Sequence, residues 1–143
     1  MTTDFEIQLR TDPRLLYSMR GLVWRYVRGF GFTEERTDEV VLAVDEACTN
    51  SLRHSYCYRD DALITLTLRC GEHWLEIEVR DDGTPGPPGC FERKELAPPS
   101  LDDLRPGGLG VQLIYRVFDE VEFTPGSERG NRVRMRLVRP AAA

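Results

Sequence analysis

Polar and apolar residues alternate at the start of the chain. Phe5, Ile7 and Leu9 share one side of an extended segment, and this period predicts a first strand. Asp12 followed by Pro13 supplies a helix start. From there Leu15, Met19, Leu22, Val23, Tyr26, Val27 and Phe30 recur at helical spacing, and Gly29 and Gly31 supply the stop. A second helix is predicted over about residues 34 to 55, with Val40, Val41, Val44, Ala47, Cys48, Ser51 and Leu52 as a mostly small, apolar stripe. The period then returns to two. Ile64, Leu66, Leu68 and Cys70 mark one strand and Leu75, Ile77 and Val79 the next. The tight connection at Gly71–Glu72 makes that pair antiparallel.

Between Asp81 and Gly108 the pattern breaks. Pro85, Pro87, Pro88, Pro98, Pro99 and Pro106 oppose a continuous helix or central strand. A loop of this length inside a domain predicts an active-site lid or disorder. A third helix is predicted from Leu109 to Phe118 through Leu113, Ile114 and Val117. Val121 and Phe123 open a further strand, and Val133, Met135 and Leu137 alternate in the last. This order predicts an α/β (α+β) two-layer sandwich: a mixed, mostly antiparallel sheet with helices on one face, the other face exposed or in a dimer contact.

Composition narrows the function classes. The 143 residues suit a single domain. A net charge of −5 gives no general attraction to nucleic acid or anionic lipid. Lys94 is the only lysine, which removes the phosphate lysine of a Walker-type loop. No apolar run near 18 residues and no N-terminal signal is present, so the cytoplasm is the expected location. Cys48, Cys57, Cys70 and Cys90 lack the close paired spacing of metal clusters, and Cys48 and Cys70 fall in apolar runs expected in the core. With only His54 and His73 available, no zinc centre is expected.

Three short constellations carry candidate chemistry. Glu46 and Asn50 lie four residues apart, on one helix face about 6 Å apart along the axis. A carboxylate there can accept a proton from a hydroxyl, and an amide oxygen can bind a hard cation such as Mg²⁺. The same pair also reads as a solvated glutamate and a locally bonded asparagine. His54, one turn on, closes the site or caps the helix. Asp81 ends a strand and is followed by Asp82 and Gly83. It is placed to accept from a purine amine or simply to form an Asx-turn. Gly107, Gly108, Leu109 and Gly110 precede an apolar helix, where exposed N–H groups can hold phosphate oxygens. Arg105 beside them is a terminal-phosphate contact or an ordinary surface arginine.

In this order, the three constellations resemble the GHKL-type ATPases, and within them the small bacterial anti-sigma-factor serine/threonine kinases. Residues 46 to 54 are similar to the N box of that family, Asp81-Asp82-Gly83 to its first glycine box, and Gly107-Gly108-Leu109-Gly110 to its second. Gly130-Asn131-Arg132-Val133 stands where a last, weaker box is expected. The resemblance covers about residues 10 to 138 of a single ATP-binding domain, with a lid over about residues 84 to 107. It implies Glu46 as general base, Asn50 as Mg²⁺ ligand and Asp81 as adenine contact. Gly83 would let the base pack closely, and Gly108 and Gly110 would border the triphosphate. It also implies a homodimer that holds a sigma factor and phosphorylates a small anti-anti-sigma protein, with ATP and Mg²⁺ as cofactors.

The chain departs from the family pattern in three places. Pro85 stands where a second glycine is usual, Asn131 replaces a common threonine and loses a phosphate or adenine-side contact, and the lid is long and proline-rich. These changes keep a second function in view: a non-catalytic, nucleotide-gated interaction module. The catalytic domain of a two-component histidine kinase is disfavoured, because His54 lies inside the proposed nucleotide helix.

Overall fold

The computed structural model describes residues 1–52, 62–83, 108–125 and 130–141. Strand β1 (Thr2–Arg10) leads into α1 (Pro13–Gly29) and α2 (Glu34–Asn50). The hairpin β2 (Leu63–Cys70) and β3 (Trp74–Asp81) follows, then α3 (Gly108–Val117), β4 (Glu120–Pro125) and β5 (Asn131–Val138). Helix α1 begins at the Asp12–Pro13 signal, and α2 begins at Glu34, behind a Thr33 cap that the structure adds. The Asp12 carboxylate accepts from the Arg14 backbone N–H, with Pro13 in the first turn, and Thr33 Oγ1 accepts from Arg36 N. Helix α1 stops where Gly31 takes a φ of +91° and its N–H bonds the Arg28 carbonyl.

The strands are ordered β1-β2-β3-β5-β4, and every described pairing is antiparallel. The mixed sheet expected from the sequence is thus wholly antiparallel among the described residues. Ile64, Leu66, Leu68, Leu75, Ile77, Val79, Val133, Met135 and Leu137 all project to one face, as their two-residue period requires. That face is covered by α1 through Val23 and Val27, α2 through Val40, Val44 and Cys48, and α3 through Ile114. Helix α2 packs between the other two, and its alanines 43 and 47 are buried there.

Two contacts fix α3 antiparallel to α2. Glu46, near the C-terminal end of α2, meets Gly110 in the first turn of α3. At the other end Arg36 donates to the Val117 carbonyl, satisfying one of the open acceptors of the α3 C-terminus. The helix predicted from Leu109 to Phe118 is observed as Gly108–Val117, so Gly108, Leu109 and Gly110 of the second glycine box form its first turn. Packing on α2 overrides the poor helix propensity of glycine.

Candidate functional site

The C-terminal half of α2 presents Glu46 and Asn50 on one face, toward α3 and the end of the sheet. Ser51 continues the helical backbone, with its N–H shared between the Ala47 and Cys48 carbonyls. Asn50 is only 5% exposed, yet neither its amide nitrogen nor its amide oxygen has a hydrogen-bond partner among the described residues. A buried amide left unpaired costs on the order of 1–3 kcal/mol. Such an atom marks a place where a ligand, ion or water completes the bonding. The Asn50 amide oxygen is a hard donor of the kind Mg²⁺ accepts, and it would leave the remaining positions of such an ion to phosphate and water.

Asn50 lines a pocket whose floor is the end of the sheet. Ala47 and Ser51 of α2, Val79 and Asp81 of β3, Phe123 of β4, and Asn131 and Val133 of β5 form its walls. Its free space is about 20 Å³, room for one water. Asn50, Ser51, Asp81, Thr124, Asn131 and Arg132 are its polar lining residues, beside the apolar Ala47, Val79, Phe123 and Val133.

Asp81 Oδ1 accepts from the Gly83 backbone N–H at 3.0 Å, the Asx-turn that the sequence allows. The same oxygen accepts from Asn131 Nδ2 at 3.3 Å, across the register pair Asp81↔Asn131. At this end of the sheet Gly130 has a φ of +87°, and a Cβ there would come within 2.8 Å of the Asp81 carbonyl oxygen. Its N–H donates to the Gly83 carbonyl at 2.6 Å. The turn after β3 is thereby tied to the start of β5, and Asp81 is held at the pocket rim.

These contacts add several residues to those the sequence marks. Asn131, singled out in the sequence only as a departure from the family pattern, donates to Asp81. Ala47, Val79, Phe123 and Val133 read from the sequence as plain core positions, yet they wall the pocket. Their only sequence signal is their place near Asn50, Asp81 and Asn131. Glu46 stands one turn from Asn50 against Gly110, so the first and second constellations meet the third. His54, Arg105, Gly107, Pro85, Cys57, Cys90 and the lid at 84–107 lie outside the described residues. Cys48 is fully buried, and burial pushes its thiol up to about 12.

The fold is a two-layer sandwich with its pocket between the second helix and the end of the sheet. The chain belongs to the histidine kinase-like ATPase domain family, whose model matches residues 9–137. It is 30% identical over 132 residues to the serine-protein kinase RsbW of Bacillus pumilus, covering 85% of this chain and 78% of that one. The serine-protein kinase RsbW of Bacillus subtilis is 30% identical over 122 residues, with 81% and 74% covered. That of Listeria monocytogenes strain HCC23 is 34% identical over 100 residues, and the chain spans 60% of its length.

Solved structures share the fold. A crystal structure of RsbU and RsbW domains from Mycobacterium tuberculosis superposes with a TM-score of 0.63 at 15% identity, covering 97% of this chain and 33% of that one. The histidine kinase domain of a blue-light activated histidine kinase from Erythrobacter litoralis gives 0.59 at 20% identity, with 86% and 60% covered.

Proposed function

We propose that this chain is an ATP-dependent serine/threonine protein kinase that acts as an anti-sigma factor in a partner-switching pathway. The observation that carries the site assignment is the buried, unpartnered amide of Asn50, one turn from Glu46 and across the pocket from Asp81. The similarity to serine-protein kinases over most of the chain supports the reaction class. In this reading Asp81 accepts from the adenine amino group, and Gly83 keeps the rim low enough for the base to pack. The first turn of α3, Gly108 to Gly110, turns its free N–H groups toward phosphate oxygens, assisted by the helix dipole. Arg105 and Gly107 join them, and residues 84–107 close over the nucleotide.

Asn50 would hold Mg²⁺, which gathers charge on the phosphates when bound. Glu46 accepts the proton of the incoming serine or threonine hydroxyl. A new P–O bond then forms to that oxygen as the bond to the ADP oxygen breaks. The proposed partners are a sigma factor and a small anti-anti-sigma protein, the chain acting as a cytoplasmic homodimer. None of the described helices is long and apolar enough to cross a membrane.

Glu46→Ala tests the reading. Transfer of label from γ-labelled ATP to the co-purified partner is expected to fall at least about 100-fold, the usual scale of a positioned base. ATP affinity should stay within a few fold. Transfer at the wild-type rate would remove Glu46 from the base role. No transfer by the wild-type chain would leave a nucleotide-gated binding module.

A further inference from the structure

We propose that Gly110 is a positioning residue for Glu46: the side chain it lacks is the space in which the base carboxylate is seated. The proposal rests on the reading of Glu46 as base and concerns what holds it in place. An ideal Cβ on Gly110 would overlap Oε2 of Glu46, lie 3.0 Å from its Cδ and 3.5 Å from its Cβ. The backbone fixes where that methyl stands, and Gly110 is buried, so the group that gives way is the Glu46 carboxylate. Other helical glycines behave differently. Gly21 and Gly29 of α1 have nothing within 4 Å of such a Cβ.

Neither helix is free to retreat. Ile114 and Val117 of α3 are buried in the core, and Arg36 of α2 holds the Val117 carbonyl at the far end. Ala47 and Cys48, which follow Glu46, are buried as well. A methyl at position 110 therefore turns the Glu46 carboxylate away from the α3 first turn, which in this reading borders the transferred phosphoryl group. Displacing a catalytic group by about 1 Å can slow a reaction on the order of 100-fold.

A phosphate-contact role for Gly110 predicts something different. It makes the effect of Gly110→Ala independent of residue 46 and places it in ATP affinity. The seat makes the effect depend on residue 46 and places it in the rate. Two cycles on the full chain separate these.

In the first cycle, thermal unfolding is followed without nucleotide. In the wild-type background the Glu46 carboxylate must leave its seat, which offsets the gain from a better helix former, so Gly110→Ala should leave Tm within about 1 °C. It should raise Tm in a Glu46→Ala background, where only an ordinary contact remains and alanine is the better helix former. Equal shifts in both backgrounds would overturn the seat.

In the second cycle, phosphotransfer is measured at saturating ATP. Gly110→Ala should slow it at least about tenfold with ATP affinity changed less than about threefold. In a Glu46→Asp background, whose carboxylate is withdrawn by one methylene, adding Gly110→Ala should slow transfer less than about threefold. A loss confined to ATP affinity would overturn the positioning role. Background-dependent Tm shifts in a chain that transfers no phosphate would overturn the kinase reading and the positioning role, while leaving the seat itself established.

Discussion

Asp81 and Asn131 show how much one hydrogen bond decides at the pocket rim. Asp81 Oδ1 takes both the Gly83 N–H and the Asn131 amide, so the carboxylate is fixed before any ligand arrives. Asp81→Asn keeps an acceptor for the Gly83 N–H and so keeps the turn, but it removes the charge from the proposed adenine contact. ATP binding should weaken by about 1.5–3 kcal/mol, the scale of a hydrogen bond to a charged group. Calorimetry measures it, and an unchanged affinity would contradict the orientation assigned to the base. Glu46, Asn50 and Asp81 stand out in the sequence as candidates through the order of their short patterns, since each alone also reads as an ordinary structural residue. The Asn131 contact was not legible there, because it depends on a strand register set some fifty residues apart. Nor was the pocket role of Phe123, which reads in the chain as one more apolar strand residue.

At the scale of the element, the start of α1 was legible because Asp12 and Pro13 are a local capping signal. Helix α2 was placed by its apolar stripe, and its Thr33 cap emerges from the structure. The start of α3 was legible to one residue from its apolar period. The contact of its first turn with Glu46 of α2 was not, because that contact joins residues far apart in the chain. The two caps also differ in a way that pH exposes. Side-chain hydrogen bonding from Arg14, then its backbone N–H, holds the Asp12 carboxyl at about 2 against the opposing pull of burial. Because that value is below the ordinary one, the unfolded chain binds the proton more tightly. The contribution of Asp12 is complete above about pH 4 and is lost as pH falls toward 2. The Thr33 hydroxyl does not titrate in this range. Asp12→Ala should lower Tm by about 3 °C at pH 7, and the gap to wild type should narrow between pH 4 and pH 3. Thr33→Ala, expected to cost about 1 kcal/mol, should show a gap that stays constant over the same steps. Scanning calorimetry of both variants checks it, and a constant gap for Asp12→Ala would refute the assignment.

Across the whole molecule, the sheet face opposite the helices is the feature that alternation in the sequence marks only as polar. It carries an ion-pair network that touches all five strands. Arg69 of β2 meets Glu76 and Glu78 of β3, and Arg80 of β3 reaches Glu6 of β1. On the other side Arg136 of β5 bonds Glu76 at 2.9 Å and lies 3.6 Å from Glu120 of β4, while Arg134 pairs with Glu122. The arginine stems cover the face in place of a helix layer, which is why Glu76, Glu78 and Thr67 are only 3%, 4% and 0% exposed. Burial raises the Glu76 pKa, but hydrogen bonds from Arg69 and Arg136 outweigh it and hold the carboxyl below its ordinary value. Its stabilising effect is therefore present at neutral pH and lost as pH falls through that lowered value. Glu76→Gln keeps the shape and removes the charge that three arginines approach. The arginines retain partial contact with water, so the loss should be about 2 kcal/mol at pH 7, within the range for hydrogen bonds to charged groups. Urea unfolding at pH 7 and again at about pH 3 measures it, and the difference from wild type should shrink at the lower pH. A variant as stable as wild type at pH 7 would show that the network covers the sheet without holding it together.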